Sequence, residues 1–174
     1  MVSPAIEVAR ILRVDHAGEK GAIGIYTVQI LVSRLLWPDC VPQLREMLSH
    51  ERRHLQVFTA ALKARQLRSC YALPLWSLGG YMLGLITALL GRRAIWSCTA
   101  AVEATVYRHI QAQKSFLAMH DHQALEAVAS IEQDEKSHLD HALSQGGEPM
   151  GSGRFVWFVV ANATAVAIWL SERF

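Results

Sequence analysis

The sequence predicts an all-α protein, a four-helix bundle carrying two extra apolar helices, one interfacial and one C-terminal. Three observations predict it. Asn-Gly and Asp-Gly hairpin signals are absent, and no stretch alternates apolar and polar residues between turn residues. Four long segments instead show the 3.6-residue apolar period of helices. Finally, a Glu-x-x-His motif occurs twice, each time behind a lone glutamate at the same spacing.

The first helix is expected from Pro4, a residue suited to a helix start, to Trp37, where Pro38-Asp39 breaks it. Leu12, Glu19, Ala22 and Tyr26 share one of its faces at steps of 7, 3 and 4. The second runs from about Val41 to Gln66, with Leu44, Met47, Leu48, Glu51, Leu55 and Phe58 in register. An apolar stretch from Ser69 to Gly91 separates it from a third helix, about Arg92 to Met119. The fourth runs from Gln123 to Ser144 and ends at Gly146-Gly147 and Pro149. A second apolar stretch, Phe155 to Ser171, closes the chain. Short turns within each pair of long helices indicate an antiparallel bundle.

Composition narrows the function classes. The chain has 174 residues, 52% hydrophobic and 18% charged, enough for one domain with a substantial core and too apolar for disorder. A net charge of +2 without a basic cluster disfavours nucleic acid as a partner. Cys40, Cys70 and Cys98 form no CxxC pair and suit a reducing compartment as small buried side chains. The N-terminal segment MVSPAIEVAR lacks a signal-peptide pattern, so an intracellular or already trimmed chain is expected.

The chemistry lies in an internal repeat. Glu51-x-x-His54 and Glu135-x-x-His138 each place a carboxylate and an imidazole on one helix face. Glu19 precedes Glu51 by 32 residues, and Glu103 precedes Glu135 by 32. One offset of 84 superposes both glutamates and the histidine, and it also pairs Gln29 with Gln113. At ~1.5 Å rise per residue, the turns bring these residues to one level of the bundle. One Glu from each of two helices and Glu-x-x-His from each of the others is the ligand set of a dinuclear carboxylate centre. Four facing carboxylates in an apolar core would cost several kcal/mol each, on the order of a buried unpaired charge. Two divalent ions cancel their charge, and the mixed oxygen and nitrogen donors suit iron or manganese.

Around this set, Asp134, Asp15 and His50 are candidates to hold a ligand histidine through its outer nitrogen. Tyr26 and His109 are candidates for a substrate pocket, whereas His16, His120, His122 and His141 are expected at the surface, in turns or at caps. Arg13, Arg52 and Arg53 are expected on a solvated face.

The segment Arg13-Val-Asp-His-Ala-Gly-Glu19, the two Glu-x-x-His motifs, Ala101-Val-Glu103 and the ending Ala167-Ile-Trp-Leu-Ser-Glu-Arg173 resemble the demethoxyubiquinone hydroxylase family of ubiquinone biosynthesis. The resemblance covers nearly the whole chain. It implies a ferritin-like di-iron monooxygenase with Glu19, Glu51, His54, Glu103, Glu135 and His138 as ligands. By the same resemblance, O₂ is the co-substrate, a polyprenyl benzoquinol is hydroxylated, and electrons come ultimately from NADH. The chain departs from many members at His109-Ile110, where they carry His-Tyr, and at Lys20. The alternatives are a ferroxidase or iron-storage module, a di-iron hydroxylase of another substrate such as a modified tRNA base, and a membrane-bound helical scaffold without chemistry.

Residues 1–174 are read as a single domain, with 69–91 inserted between the duplicated helix pairs. The 23 uncharged residues between Arg68 and Arg92 suffice for a membrane span by length. A span there would put the two halves of the ligand set in different compartments. Pro74, Gly79, Gly80 and Gly84 are expected to interrupt the segment, and Arg65 and Arg68 balance Arg92 and Arg93. An interfacial helix or re-entrant hairpin is expected instead, with Trp76, Tyr81, Leu83, Leu85 and Ile86 in lipid. That places the protein peripherally on the cytoplasmic face of a bacterial membrane, or on the matrix face of the mitochondrial inner membrane. Other proteins of quinone biosynthesis are possible complex partners.

Overall fold

A computed structural model describes residues 3–151 and 153–173. Among these residues the chain forms six α-helices, α1 (Pro4–Leu36), α2 (Val41–Ala64), α3 (Leu73–Leu90), α4 (Arg92–His120), α5 (His122–Ser144) and α6 (Gly153–Ser171), with no strand. Five of them fall within two residues of the expected limits, and α3 starts four residues after Ser69. Ser3 caps α1 by accepting from the Ile6 N–H, with Pro4 in the first turn. Asp121 caps α5 by accepting from the Ala124 N–H at 2.9 Å. The same carboxylate receives Arg65 at 2.8 and 2.9 Å, which ties the end of α2 to the start of α5.

Helices α1, α2, α4 and α5 form the bundle, α1 packing on α2 and α4 on α5. Its core has two apolar clusters. One contains Leu12, Phe58, Leu62, Ile110, Leu117 and Ile131. The other contains Tyr26, Ile30, Leu44, Met47, Ile95 and Trp96. Burial of each large side chain contributes roughly 1.5–3 kcal/mol. The repeated Glu and His positions fall between these clusters along all four helices.

Helix α3 corrects the expectation of an interrupted segment: it is continuous from Leu73 to Leu90. Pro74 sits in the first turn, where its missing N–H costs nothing. The glycines mark a helix crossing. A Cβ on Gly80 would overlap the backbone of Gly21, and one on Gly84 would overlap the carbonyl of Ile25. Backbone meets backbone here, as in small-residue crossings between apolar helices. Gly84→Val is therefore expected to destabilise the fold by about 1–3 kcal/mol or more through overpacking, read as a lowered Tm. An unchanged Tm would refute this close crossing. Gly91 alone joins α3 to α4, with φ 106 that an L side chain resists. Trp37 Nε1 donates to the Ala88 carbonyl at 2.9 Å and fixes that corner.

Helix α6 packs along α4. Both added helices are long and apolar enough to cross a membrane, yet only 22% of α3 and 11% of α6 is buried. They are therefore surface helices rather than core ones. Leu78, Tyr81, Met82, Leu85 and Leu89 form an exposed stripe on α3, and Phe155, Phe158, Val166 and Trp169 are exposed on α6. Trp76 and Leu83 differ from their expected lipid contact. They face inward and line a cavity, because they lie on the side of α3 turned towards the bundle.

Candidate metal centre

The structure brings the six repeated residues together. Donor atoms of Glu19, Glu51, His54 and Glu135 lie within 4.8 Å of one another, as do those of Glu51, Glu103, Glu135 and His138. Glu51 and Glu135 belong to both groups. All six side chains are buried. His54 Nδ1 lies 2.9 Å from Glu135 and 3.6 Å from Glu19, and His138 Nδ1 lies 3.2 Å from Glu51. Even so, Glu51 Oε1, Glu135 Oε1 and both Nδ1 atoms are buried without a hydrogen-bond partner. Orphaned polar atoms of this kind are costly in a core. Four of them converging, with carboxylate and imidazole donors only, fit divalent cations.

Burial and mutual repulsion, Glu135 being the strongest neighbouring charge, hold Glu19, Glu51 and Glu103 well above the usual carboxylate range. Burial pushes Asp15 to about 7. For metal-free protein the consequence follows from linkage. Raised acids bind protons better folded than unfolded, so their stabilisation is lost as pH rises through the folded pKa. The histidines lowered by burial, among them His16 and His138, act oppositely but only below about pH 6.5, their ordinary value. Stability of metal-free protein should therefore fall as pH rises above about 6.5, by up to about 1.4 kcal/mol per pH unit for each proton that the folded chain still holds and the unfolded chain has released. Melting curves across that range, with and without a divalent ion, check this. A metal-free Tm that stays level or rises would refute it.

The neighbouring residues divide. Asp134 lies on His54 Nε2 at 2.9 Å and also receives Arg53, so Arg53 is not merely solvated. His50 Nδ1 lies 3.0 Å from His138 Nε2. Asp15 does not reach a ligand histidine; one of its oxygens accepts from Gln113 Nε2 at 2.7 Å and the other is buried and unpartnered. Tyr26 lies outside the cavity lining. Two turns beyond Glu19 on the same buried face, it donates to Glu103 at 2.5 Å. His109 does line the cavity. His16 is buried against Thr59 Oγ1 at 3.2 Å rather than at the surface, because it follows the inward-facing side of α1.

A cavity of about 290 Å³ runs to the carboxylates. Its walls include Gly18 and Gly21 of α1, Trp76 and Leu83 of α3, and Ala167 and Ile168 of α6, while Glu19, Glu51, Glu103 and Glu135 line its inner part. The small residues that make this space were missed in the sequence. Their signal is the spacing of Gly18 and Gly21 along one helix.

A four-helix core with paired Glu-x-x-His helices and two lone glutamates is a ferritin-like carboxylate–histidine protein. Comparison with known proteins narrows the class. The family model for Ubiquinone biosynthesis protein COQ7 matches residues 6–171, and the chain belongs to that family. The mouse protein named NADPH-dependent 3-demethoxyubiquinone 3-hydroxylase, mitochondrial, is 34% identical over 171 residues, covering 96% of this chain and 78% of its own. The 3-demethoxyubiquinol 3-hydroxylase of Rhodospirillum rubrum is 33% identical, covering 98% and 80%. The yeast protein named 5-demethoxyubiquinone hydroxylase, mitochondrial, is 30% identical over 179 residues, covering 94% and 77%.

Proposed function

We propose that the chain is a 3-demethoxyubiquinol 3-hydroxylase, a monooxygenase of ubiquinone biosynthesis acting as one domain over residues 1–174. The cavity that joins two exposed apolar helices to a buried cluster of carboxylates carries this reading. A ferroxidase or storage module has no use for such a cavity, and a scaffold would leave the buried carboxylates uncompensated.

Glu19 and His54 would hold one iron ion and Glu103 and His138 the other, with Glu51 and Glu135 shared between them. When bound, two iron ions supply the reductive activation of O₂, one atom going to the quinol ring and the other to water. The chain's own part is to bind, orient and exclude water. Tyr26 fixes Glu103 by its hydrogen bond, and Asp134 and His50 fix the two imidazoles from behind. Trp76, Leu83, Val106 and Ile168 offer an apolar wall to the quinol, and His109, Asp15, Thr164 and Ser171 are polar groups on the cavity wall apart from the ligands. Asp15, poised near neutrality, is able to donate to or accept from a quinol hydroxyl.

The exposed faces of α3 and α6 would lie on lipid with the site on one side of the bilayer, so that a polyprenyl substrate enters from the membrane. Reduced nicotinamide is the proposed source of electrons. NADH is the form expected from the resemblance, and the mouse relative's name specifies NADPH. Iron-loaded protein given reductant, ¹⁸O₂ and a short-chain demethoxyubiquinol should yield a product one labelled oxygen heavier. Iron uptake without hydroxylated quinol would overturn the reading.

A further inference from the structure

The two halves of the chain support their histidines with different chemistry. His54 turns Nδ1 to the carboxylates and Nε2 to Asp134 Oδ2 at 2.9 Å. His138 turns Nδ1 to the carboxylates and Nε2 to His50 Nδ1 at 3.0 Å, the two rings stacked with centroids 5.2 Å apart. Asp134 and His50 occupy one position of the repeat, since 134 − 50 = 84, each immediately before its glutamate. Each crosses to the histidine of the other half. The positions are equivalent and the side chains are not.

An imidazole bound to a metal through Nδ1 keeps its proton on Nε2, so that N–H must donate outward. At His54 it meets a carboxylate. At His138 it meets the lone pair of an imidazole nitrogen. A carboxylate acceptor draws the proton and makes the ring a stronger donor to metal, whereas a neutral acceptor does so less. Arg53 shares Asp134 Oδ2 and tempers its charge without displacing His54. The other oxygen of Asp134 stays 3.7 Å from His50 Nδ1, beyond hydrogen-bonding distance, so that carboxylate serves His54.

We infer that Asp134 and His50 are positioning residues that make the two metal positions unequal. The position built from Glu19, Glu51, His54 and Glu135 holds a divalent ion more tightly, and the position containing His138 is the one that exchanges. This rests on the dinuclear reading above and adds to it which metal is held more weakly, and why.

Anaerobic titration of the full chain with Co²⁺, followed by its visible absorption and by calorimetry, tests this without relying on activity. Two steps are expected, separated by at least about tenfold in affinity. Asp134→Asn should weaken the tighter step by ~10–100-fold and leave the other in place. His50→Asp, which copies the geometry by which Asp134 reaches across, should tighten the weaker step and draw the two together. His50→Gln retains a neutral acceptor and should preserve the separation, which a purely structural role for His50 does not foresee. Fewer than two equivalents in the unsubstituted chain would overturn the dinuclear reading and this inference with it. Two equivalents in a single step, or a separation indifferent to both His50→Asp and Asp134→Asn, would overturn this inference alone.

Discussion

Glu51→Gln should reduce bound iron from two equivalents to fewer than one and lower hydroxylation to background. Glu51 belongs to both donor groups, so losing its charge weakens both positions at once. The loss should exceed the ~10–100-fold that substitution of an outer partner such as Asp134 costs. The same change should raise the Tm of metal-free protein at neutral pH, because it removes a buried carboxylate that burial and the neighbouring Glu135 and Glu19 disfavour. Opposite effects on metal content and on metal-free stability separate a ligand from an ordinary core residue. Metal analysis beside melting curves measures both, and full retention of two equivalents would remove Glu51 from the centre.

Leu85→Asp combined with Leu89→Asp should release the protein from liposomes while leaving its iron content unchanged. Both side chains are exposed, one turn apart on the outer stripe of α3. Placing two carboxylates there removes apolar area worth roughly 25 cal/mol per Å² on insertion and adds charges that resist entry into lipid. Leu83 is a poor choice for this test despite its neighbourhood, since it lines the cavity and a charge there would disturb the site itself. Flotation with vesicles reads the binding, and turnover of a water-soluble quinol checks that the centre survives. A doubly substituted protein that still floats would assign the membrane contact elsewhere.

The buried carboxylate–histidine cluster was legible in the sequence because a repeat is a measurement of register. A lone Glu-x-x-His is weak, but two with the same 32-residue lead leave little freedom for where the donors meet. Helix limits were legible from Pro4, Pro38 and Gly146-Gly147 for similarly local reasons. What the sequence did not reveal depends on partners distant in the chain. Gly80 and Gly84 suggest a broken helix until α1 is placed against them, when they become the reason two backbones can touch. His16 resembles a surface residue until Thr59 faces it, and Tyr26 resembles a pocket residue until Glu103 accepts the hydrogen bond from its hydroxyl. The sides of α3 were partly misassigned because an almost uniformly apolar helix carries little periodic contrast, so Trp76 and Leu83 could not be distinguished from Leu85 and Ile86.

The crossed pairing of residues 50 and 134 bears on why this catalyst is one polypeptide. Two separate copies of a single helix pair, related by a twofold axis, would offer the same six donors. Each copy would then have to present the same residue behind the partner's imidazole, both aspartate or both histidine. Joining the copies through α3 lifts that obligation, since positions 50 and 134 become separately mutable. Covalent linkage would thus permit the division of labour between two ions that we infer and that exact symmetry forbids, and the connector itself would be left free to form the surface through which we propose the substrate arrives.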